Sequence, residues 1–156
     1  MPTGEDLAAF QSLSMLSPQQ RAELAEFCRA VSIRAGEAIF EQGEPADGCW
    51  LIVKGRVTLE SDQPAGVRQS IQTLGAGDLL GWSWLVPPYR WRLAARAVDD
   101  VSAIRLDTTA LRAYAERDPT FGYPLLLGLI GALLPRLHGS RARLLDLYRN
   151  PREVAR

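Results

Sequence analysis

Histidine is almost missing from this 156-residue chain, and His138 is its only instance. With one imidazole and no His/Cys set at metal-ligand spacing, neither a zinc site nor a Ser/His/Asp arrangement can be assembled. A Walker-type glycine loop is absent too, so nucleotide-phosphate chemistry has no motif to start from. Neither an enzyme nor a bound metal is expected. Cysteine is limited to Cys28 and Cys49, both in apolar surroundings, which reads as two buried thiols in a reducing compartment rather than a disulfide. Lysine is reduced to Lys54, the other basic residues being arginine, a bias that reads as codon usage. Lys+Arg and Asp+Glu balance at 18 each, so the whole chain carries no electrostatic footprint for nucleic acid. Met1 to Phe10 has no basic region followed by an apolar one, so no signal peptide is read. The longest apolar run, Gly122 to Leu134, covers thirteen residues and contains Pro124, short of the roughly 20 that span a bilayer. These absences point to a soluble, cytoplasmic, non-membrane chain forming one domain with a helical appendage. Its 47% hydrophobic residues supply an ordinary core.

What is present falls into three textures. Leu7, Phe10, Leu13 and Leu16 suggest a short helical piece. Ser17 and Pro18 suit the N-cap and first position of a helix, whose apolar stripe is Leu24, Phe27, Cys28 and Val31. From Ile33 the pattern turns to short β-like runs: Ala38–Phe40, Cys49–Val53, Val57–Leu59, Val67–Leu74, Leu93–Val98 and Val101–Leu106. Turn chemistry separates them at 41–48, 54–56, 62–66, 75–78 and 99–100. Short strands at this spacing predict an antiparallel sandwich or barrel. After Leu106 the chain is helical: Asp107-Thr108-Thr109 is a cap signal, and Asp118-Pro119 opens a last helix running to about Tyr148.

That last helix carries Leu126, Ile130, Leu133, Leu137, Ser140, Leu144 and Leu147 at 4-3-4-3-4-3 spacing, a heptad seam. A competing register through Leu127, Leu134 and Tyr148 puts Arg141 in the seam, so the first is preferred. Two apolar faces are expected, one on the chain's own domain and one on a second copy; Leu126, Ile130, Leu133, Leu137 and Leu144 form the expected homodimer interface. Gly128 and Gly131 imply a bend or close backbone approach, and Pro135 a kink. His138 reads as an exposed helix residue beside Arg136 and Arg141.

One stretch fits none of these textures. Leu80 to Ala97 holds three of the four tryptophans, Pro87-Pro88 and several arginines within eighteen residues.

Several of these segments resemble a known family. Gly36-Glu37-Ala38-Ile39-Phe40-Glu41-Gln42-Gly43-Glu44-Pro45-Ala46-Asp47, followed by Trp50 to Val57, is similar to the opening of the cyclic nucleotide-binding domain of the Crp/Fnr family. Gly36, Gly43 and Gly55 fall at its turn glycines, Gly75-Ala76-Gly77-Asp78 at its next turn, and Arg141 to Tyr148 resembles its dimerisation helix. The resemblance implies a mainly β fold, an antiparallel β-roll or jelly-roll over residues 1–118 with flanking helices, and a C-terminal dimerisation helix over 119–156. It also implies a regulatory, non-catalytic role in signal transduction. The family's transcription factors continue into a helix-turn-helix domain, and the residues after Tyr148 are too few to build one, so DNA binding by this chain alone is not expected.

The family's ligand segment reads approximately G-E-x-A-L, five residues, then R-x-A-x-V-[RK]-A. Its Gly opens a one-turn helix facing a cyclic phosphate, its Glu takes the ribose hydroxyl and its Arg pairs with the phosphate. Aligned without a gap, Gly81 matches the Gly and Arg96-Ala97 the closing pair, while Trp82 falls at the Glu, Trp84 at the Ala and Trp91 at the Arg. Hydrogen bonds to charged groups contribute about 1.5–3 kcal/mol each, so losing both anchors argues against the cyclic nucleotide that the resemblance implies as ligand. A one-residue bulge would instead bring Arg92 into the pocket; in a regular strand Arg90 and Arg92 point together, opposite Trp91. The tryptophans either fill the vacated pocket or line a site for a flat or cationic ligand, with Ser83 and the backbone after Gly81 as polar contacts. Tyr89 and Trp91 could box an arginine. The candidate ligand residues are thus Gly81, Trp82, Ser83, Trp84, Arg90, Trp91 and Arg92. Two functions follow: a small-molecule sensor signalling through its C-terminal helix, or an interaction protein with a plugged pocket.

Overall fold

The structure, a computed structural model, describes residues 1–62 and 68–148, with side chains at all of these except 62 and 138–148. The expected loop at 62–66 and the seam positions Ser140, Leu144 and Leu147 therefore lie outside the described side chains. His138 and the competing Arg141 and Tyr148 do too.

Helices α1 (Gly4–Leu7) and α2 (Pro18–Ala25) begin in capping boxes, with Thr3 and Ser17 as N-caps and Asp6 and Gln20 reaching back. Each box satisfies two backbone donors at a helix start. Between them Gln11–Leu13 forms a 3-10 turn, so the expected single helical piece is split in two. Its four apolar residues Leu7, Phe10, Leu13 and Leu16 are nevertheless all buried.

Eight strands follow: β1 (Cys28–Ile33), β2 (Ala38–Phe40), β3 (Gly48–Lys54), β4 (Val57–Asp62), β5 (Arg68–Leu74), β6 (Leu79–Leu80), β7 (Ala94–Ala97) and β8 (Val101–Asp107). They form two four-stranded sheets, ordered β1-β8-β3-β6 and β2-β7-β4-β5, and all pairings are antiparallel. Apart from Ala94, the buried apolar residues of both sheets belong to one hydrophobic cluster. This is the expected jelly-roll.

The helical stripe drawn through Cys28 and Val31 is corrected. α2 stops at Ala25, and β1 begins five residues before the expected onset at Ile33. The register Cys28↔Leu106 to Ile33↔Val101 explains why. β8 offers an open side to β1, and tertiary pairing overrides a short helical periodicity. The two-residue β6, paired with Trp50 and Leu51, has too little sequence to announce itself.

Helix α3 (Thr108–Arg117) is capped by Asp107, whose side chain accepts from the Ala110 N–H at 3.2 Å. Helix α4 runs from Pro119 to Tyr148 and contains both Pro124 and Pro135. Pro124 therefore does not end the apolar run. Its missing N–H leaves the Thr120 carbonyl without a helical partner, and Gln20 Nε2 on α2 donates to that oxygen at 3.0 Å. By length and composition alone, Pro119–Leu137 is long and apolar enough to cross a membrane, which corrects the thirteen-residue count. Here Phe121, Leu125 and Leu129 are buried against the domain, whereas Leu126, Ile130, Leu133 and Leu137 are 42%, 51%, 38% and 46% exposed. A Cβ on Gly128 would collide with the Ser12 carbonyl, while one on Gly131 would meet open space. Close approach thus accounts for the first glycine only.

Candidate functional site

β6 leads into Gly81, whose φ of +102° is open to glycine far more readily than to other residues. A Cβ there would also lie 3.0 Å from the Trp91 ring. The chain then makes a 3-10 turn, Ser83–Leu85, in the place of the family's one-turn helix. Trp84 ties this turn down from both sides. Its indole Nε1 donates to the Gly81 carbonyl at 3.1 Å, and its carbonyl accepts from Arg112 Nη1 at 2.7 Å.

The return from Val86 to Leu93 is irregular. The Pro87–Pro88 peptide is cis and Tyr89 has φ +56°. Arg112 of α3 stacks its guanidinium 3.8 Å from the Tyr89 ring centroid. The expected arginine box is therefore built from Tyr89 and α3 without Trp91. Trp91 instead turns inward, 4% exposed, stacked on Phe40 with centroids 3.8 Å apart and planes 11° from parallel. Trp50 closes the aromatic cluster, 6.0 Å from Trp91 and 5.6 Å from Phe40. Side chains of this size bury about 150–250 Å² each and dominate the energetics of a core.

What remains of the pocket is a cavity of about 110 Å³, lined by Phe40, Leu59, Leu74, Gly81, Trp82, Ser83, Trp91, Arg92, Leu93 and Arg136. Small-molecule sites typically run from about 300 to 1,000 Å³. Of the candidate residues, Gly81, Trp82, Ser83, Trp91 and Arg92 are brought together in its wall. Trp84 and Arg90 are not. Trp84 faces a separate groove of about 430 Å³ shared with Tyr89, Arg112, Tyr123 and Leu126. Arg90 is spent outside the cavity, its Nη1 donating to the Gly43 carbonyl at 2.8 Å. Arg96, of the closing pair, donates to the Gly36 carbonyl at 2.8 Å and flanks Glu60 at 3.6 Å. A larger open depression of about 600 Å³ lies elsewhere, near Met1, Phe10 and Val53, with Asp6 as its one charged lining residue.

Arg136 is the wall residue that sequence reasoning passed over. It comes from α4, donating from Nη2 to Gln72 Oε1 at 3.0 Å and from Nη1 to the Leu79 carbonyl at 3.4 Å. Its guanidinium lies 6.0 Å from the Trp82 ring centroid. Burial pushes its pKa down, and nearby Asp78 opposes that shift. The available signal was positional: Arg136 is the sole charged residue between Pro119 and Leu137. Trp82 has a half-buried ring, and its indole Nε1 is buried with no hydrogen-bond partner. No group of His, Cys, Asp or Glu able to hold a metal ion occurs among the described residues.

The turn glycines and every pocket-wall residue except Arg136 sit where the family model for the cyclic nucleotide-binding domain matches, over residues 30–118. The chain belongs to the cyclic nucleotide-binding domain family. A solved Geobacter metallireducens GS-15 protein of the cyclic nucleotide-binding type is 26% identical, with a TM-score of 0.80 over 88% of this chain and 100% of that one. A cyclic nucleotide-binding domain from Methylobacillus flagellatus KT shares the fold, with a TM-score of 0.80 at 19% identity, over 94% of this chain and 86% of that one. Among curated proteins, the CRP-like cAMP-activated global transcriptional regulator of Mycobacterium tuberculosis is 26% identical over 85% of this chain. The chain spans 57% of that relative's length.

Proposed function

We propose that this domain is a non-catalytic regulatory module whose site excludes cyclic nucleotides and reports a smaller ligand through α4. The observation that carries this reading is Trp91. It stands where the family's phosphate-pairing arginine belongs, stacks on Phe40 and leaves a cavity of about 110 Å³. Because Arg136 of α4 forms part of the same wall, a ligand that moves this arginine biases the position of the helix. A shift in that equilibrium can be no larger than the ligand's differential affinity for the two states. The exposed Leu126, Ile130, Leu133 and Leu137 supply the surface for pairing with a second copy. Residues 1–118 are thus the sensing unit and 119–156 the output. Two unpaired buried thiols fit a reducing, cytoplasmic setting.

The packing of Trp91, Phe40 and Trp50 also favours a second reading, an interaction protein whose pocket is filled for good. Calorimetry with cAMP and cGMP tests the exclusion: the native chain gives no saturable heat, and Trp82→Glu combined with Trp91→Arg gains at least about a hundredfold in affinity, since two charged hydrogen bonds return. Saturable micromolar binding of either nucleotide by the native chain would overturn it. Thermal shift against a metabolite set separates sensor from plug, because a filled pocket responds to none.

A further inference from the structure

We propose that the cavity beside Trp82 is a site for a compact anionic group, a carboxylate or small oxyanion, held by Arg136 with the Trp82 indole N–H and Arg92. The inference rests on the ligand-sensing reading and gives that ligand its chemistry.

Four observations converge on it. Arg136 is a half-buried cation with no ion pair at salt-bridge distance among the described residues; its two hydrogen bonds go to neutral oxygens of Gln72 and Leu79. A guanidinium has five N–H donors, so three are left without a partner there. Asp78 is the nearby counter-charge but forms no ion pair with it at salt-bridge distance, so a partly desolvated guanidinium still favours an anion as direct partner. Trp82 Nε1 is a second orphan donor, buried and unpaired in a wall residue of the same cavity. Arg92, an exposed residue of the irregular return, supplies a further positive charge at the rim, again with no ion pair among the described residues. No carboxylate lines the cavity, so every charge in its wall has one sign. Size sets the remaining limit. About 110 Å³ equals the liquid volume of roughly four waters at ~30 Å³ each, which admits an acetate- or sulfate-sized group and excludes a nucleotide. The site differs from the family's phosphate arrangement in its source of charge: the leading cation comes from α4, the output helix, rather than from the position now occupied by Trp91.

The test uses the full chain at constant ionic strength. Acetate, benzoate, nitrate, sulfate and phosphate are titrated by calorimetry, with acetamide and benzamide as uncharged controls. Saturable binding of at least one anion is expected, with its amide or other neutral counterpart at least about tenfold weaker. The carboxylate and oxyanion arms tell which source the site prefers. Arg136→Gln should weaken that anion at least tenfold, and Arg136→Lys should recover part of the loss. Independently of any Arg136 variant, the Trp82 indole N–H resonance, assigned through Trp82→Phe, should shift with the bound anion while that of Trp84, held by Gly81, stays in place. An unmoved Trp82 resonance, or equal anion affinity in folded Arg136→Gln, overturns the proposal. If no anion binds but a neutral metabolite does, the anion site falls and the sensor reading stands. If nothing binds at all, both fall.

Discussion

Trp91 shows how one side chain decides what a β-roll can hold. It is large, flat and stacked, and its removal leaves a hole that the surrounding strands cannot close. Trp91→Ala should therefore cost about 3–5 kcal/mol, read as a lower urea midpoint. Gly81 carries a related constraint, since its backbone sits at φ +102° and its missing Cβ is the space the Trp91 ring uses. Gly81→Ala should cost about 1–3 kcal/mol from strained backbone alone, measured in the same way. The thiols make a third residue-scale case. Burial pushes Cys28 from 9.0 up to about 12, and Cys49 further in the same direction, with desolvation the largest cause. Folding favours the neutral thiol, so the associated stability is complete below pH 9 and is lost as pH rises toward 12. Native protein should accordingly resist a disulfide reagent at pH 8 and react fully in urea. Denaturation midpoints should fall above pH 9, less steeply when both cysteines are alanine.

At the scale of elements, α4 divides its apolar residues between a buried face and an exposed one. Leu125 and Leu129 are buried in the domain, while Ile130 and Leu133 stand half exposed. Leu129→Ala should lower stability by about 2–5 kcal/mol. Ile130→Glu with Leu133→Glu should leave unfolding of the domain nearly unchanged and act on assembly instead. Parallel urea titrations of the two variants separate these outcomes. Gly128 belongs to the buried face, because any larger residue would drive the helix off the Ser12 carbonyl. The boundary between α2 and β1 shows a different logic. Leu24, Phe27, Cys28 and Val31 are spaced as a helix, yet the last two lie in a strand, because β8 supplies hydrogen bonds that no local preference can match.

The whole molecule poses the question of assembly. A single copy leaves Tyr123, Leu126, Leu127, Ile130, Leu133, Leu134 and Leu137 exposed along one helix, an apolar surface of the kind that marks an interaction site. Light scattering at micromolar concentration should give twice 17.2 kDa for the native chain and 17.2 kDa for Ile130→Glu/Leu133→Glu. A native monomer would remove the pairing role.

Much of this was legible without coordinates because it is local. Turn glycines, capping residues and alternating short strands act over a few residues, and Gly36 to Val57 with Gly75 to Asp78 carried the jelly-roll and its family. The site was legible in place, since Gly81 and Arg96-Ala97 bracket it, but not in content. Sequence by itself determined that Trp82, Trp84 and Trp91 crowd one short segment between Gly81 and Arg96-Ala97, because residue identity needs no fold to be read. Only the tertiary structure decided that Trp91 packs on Phe40, that Trp84 serves the 3-10 turn rather than the cavity, and that the cation beside Trp82 is Arg136. Those outcomes depend on which distant elements meet, and the closeness of α4 to β5 and β6 is set by packing across the fold rather than by any pattern within one segment.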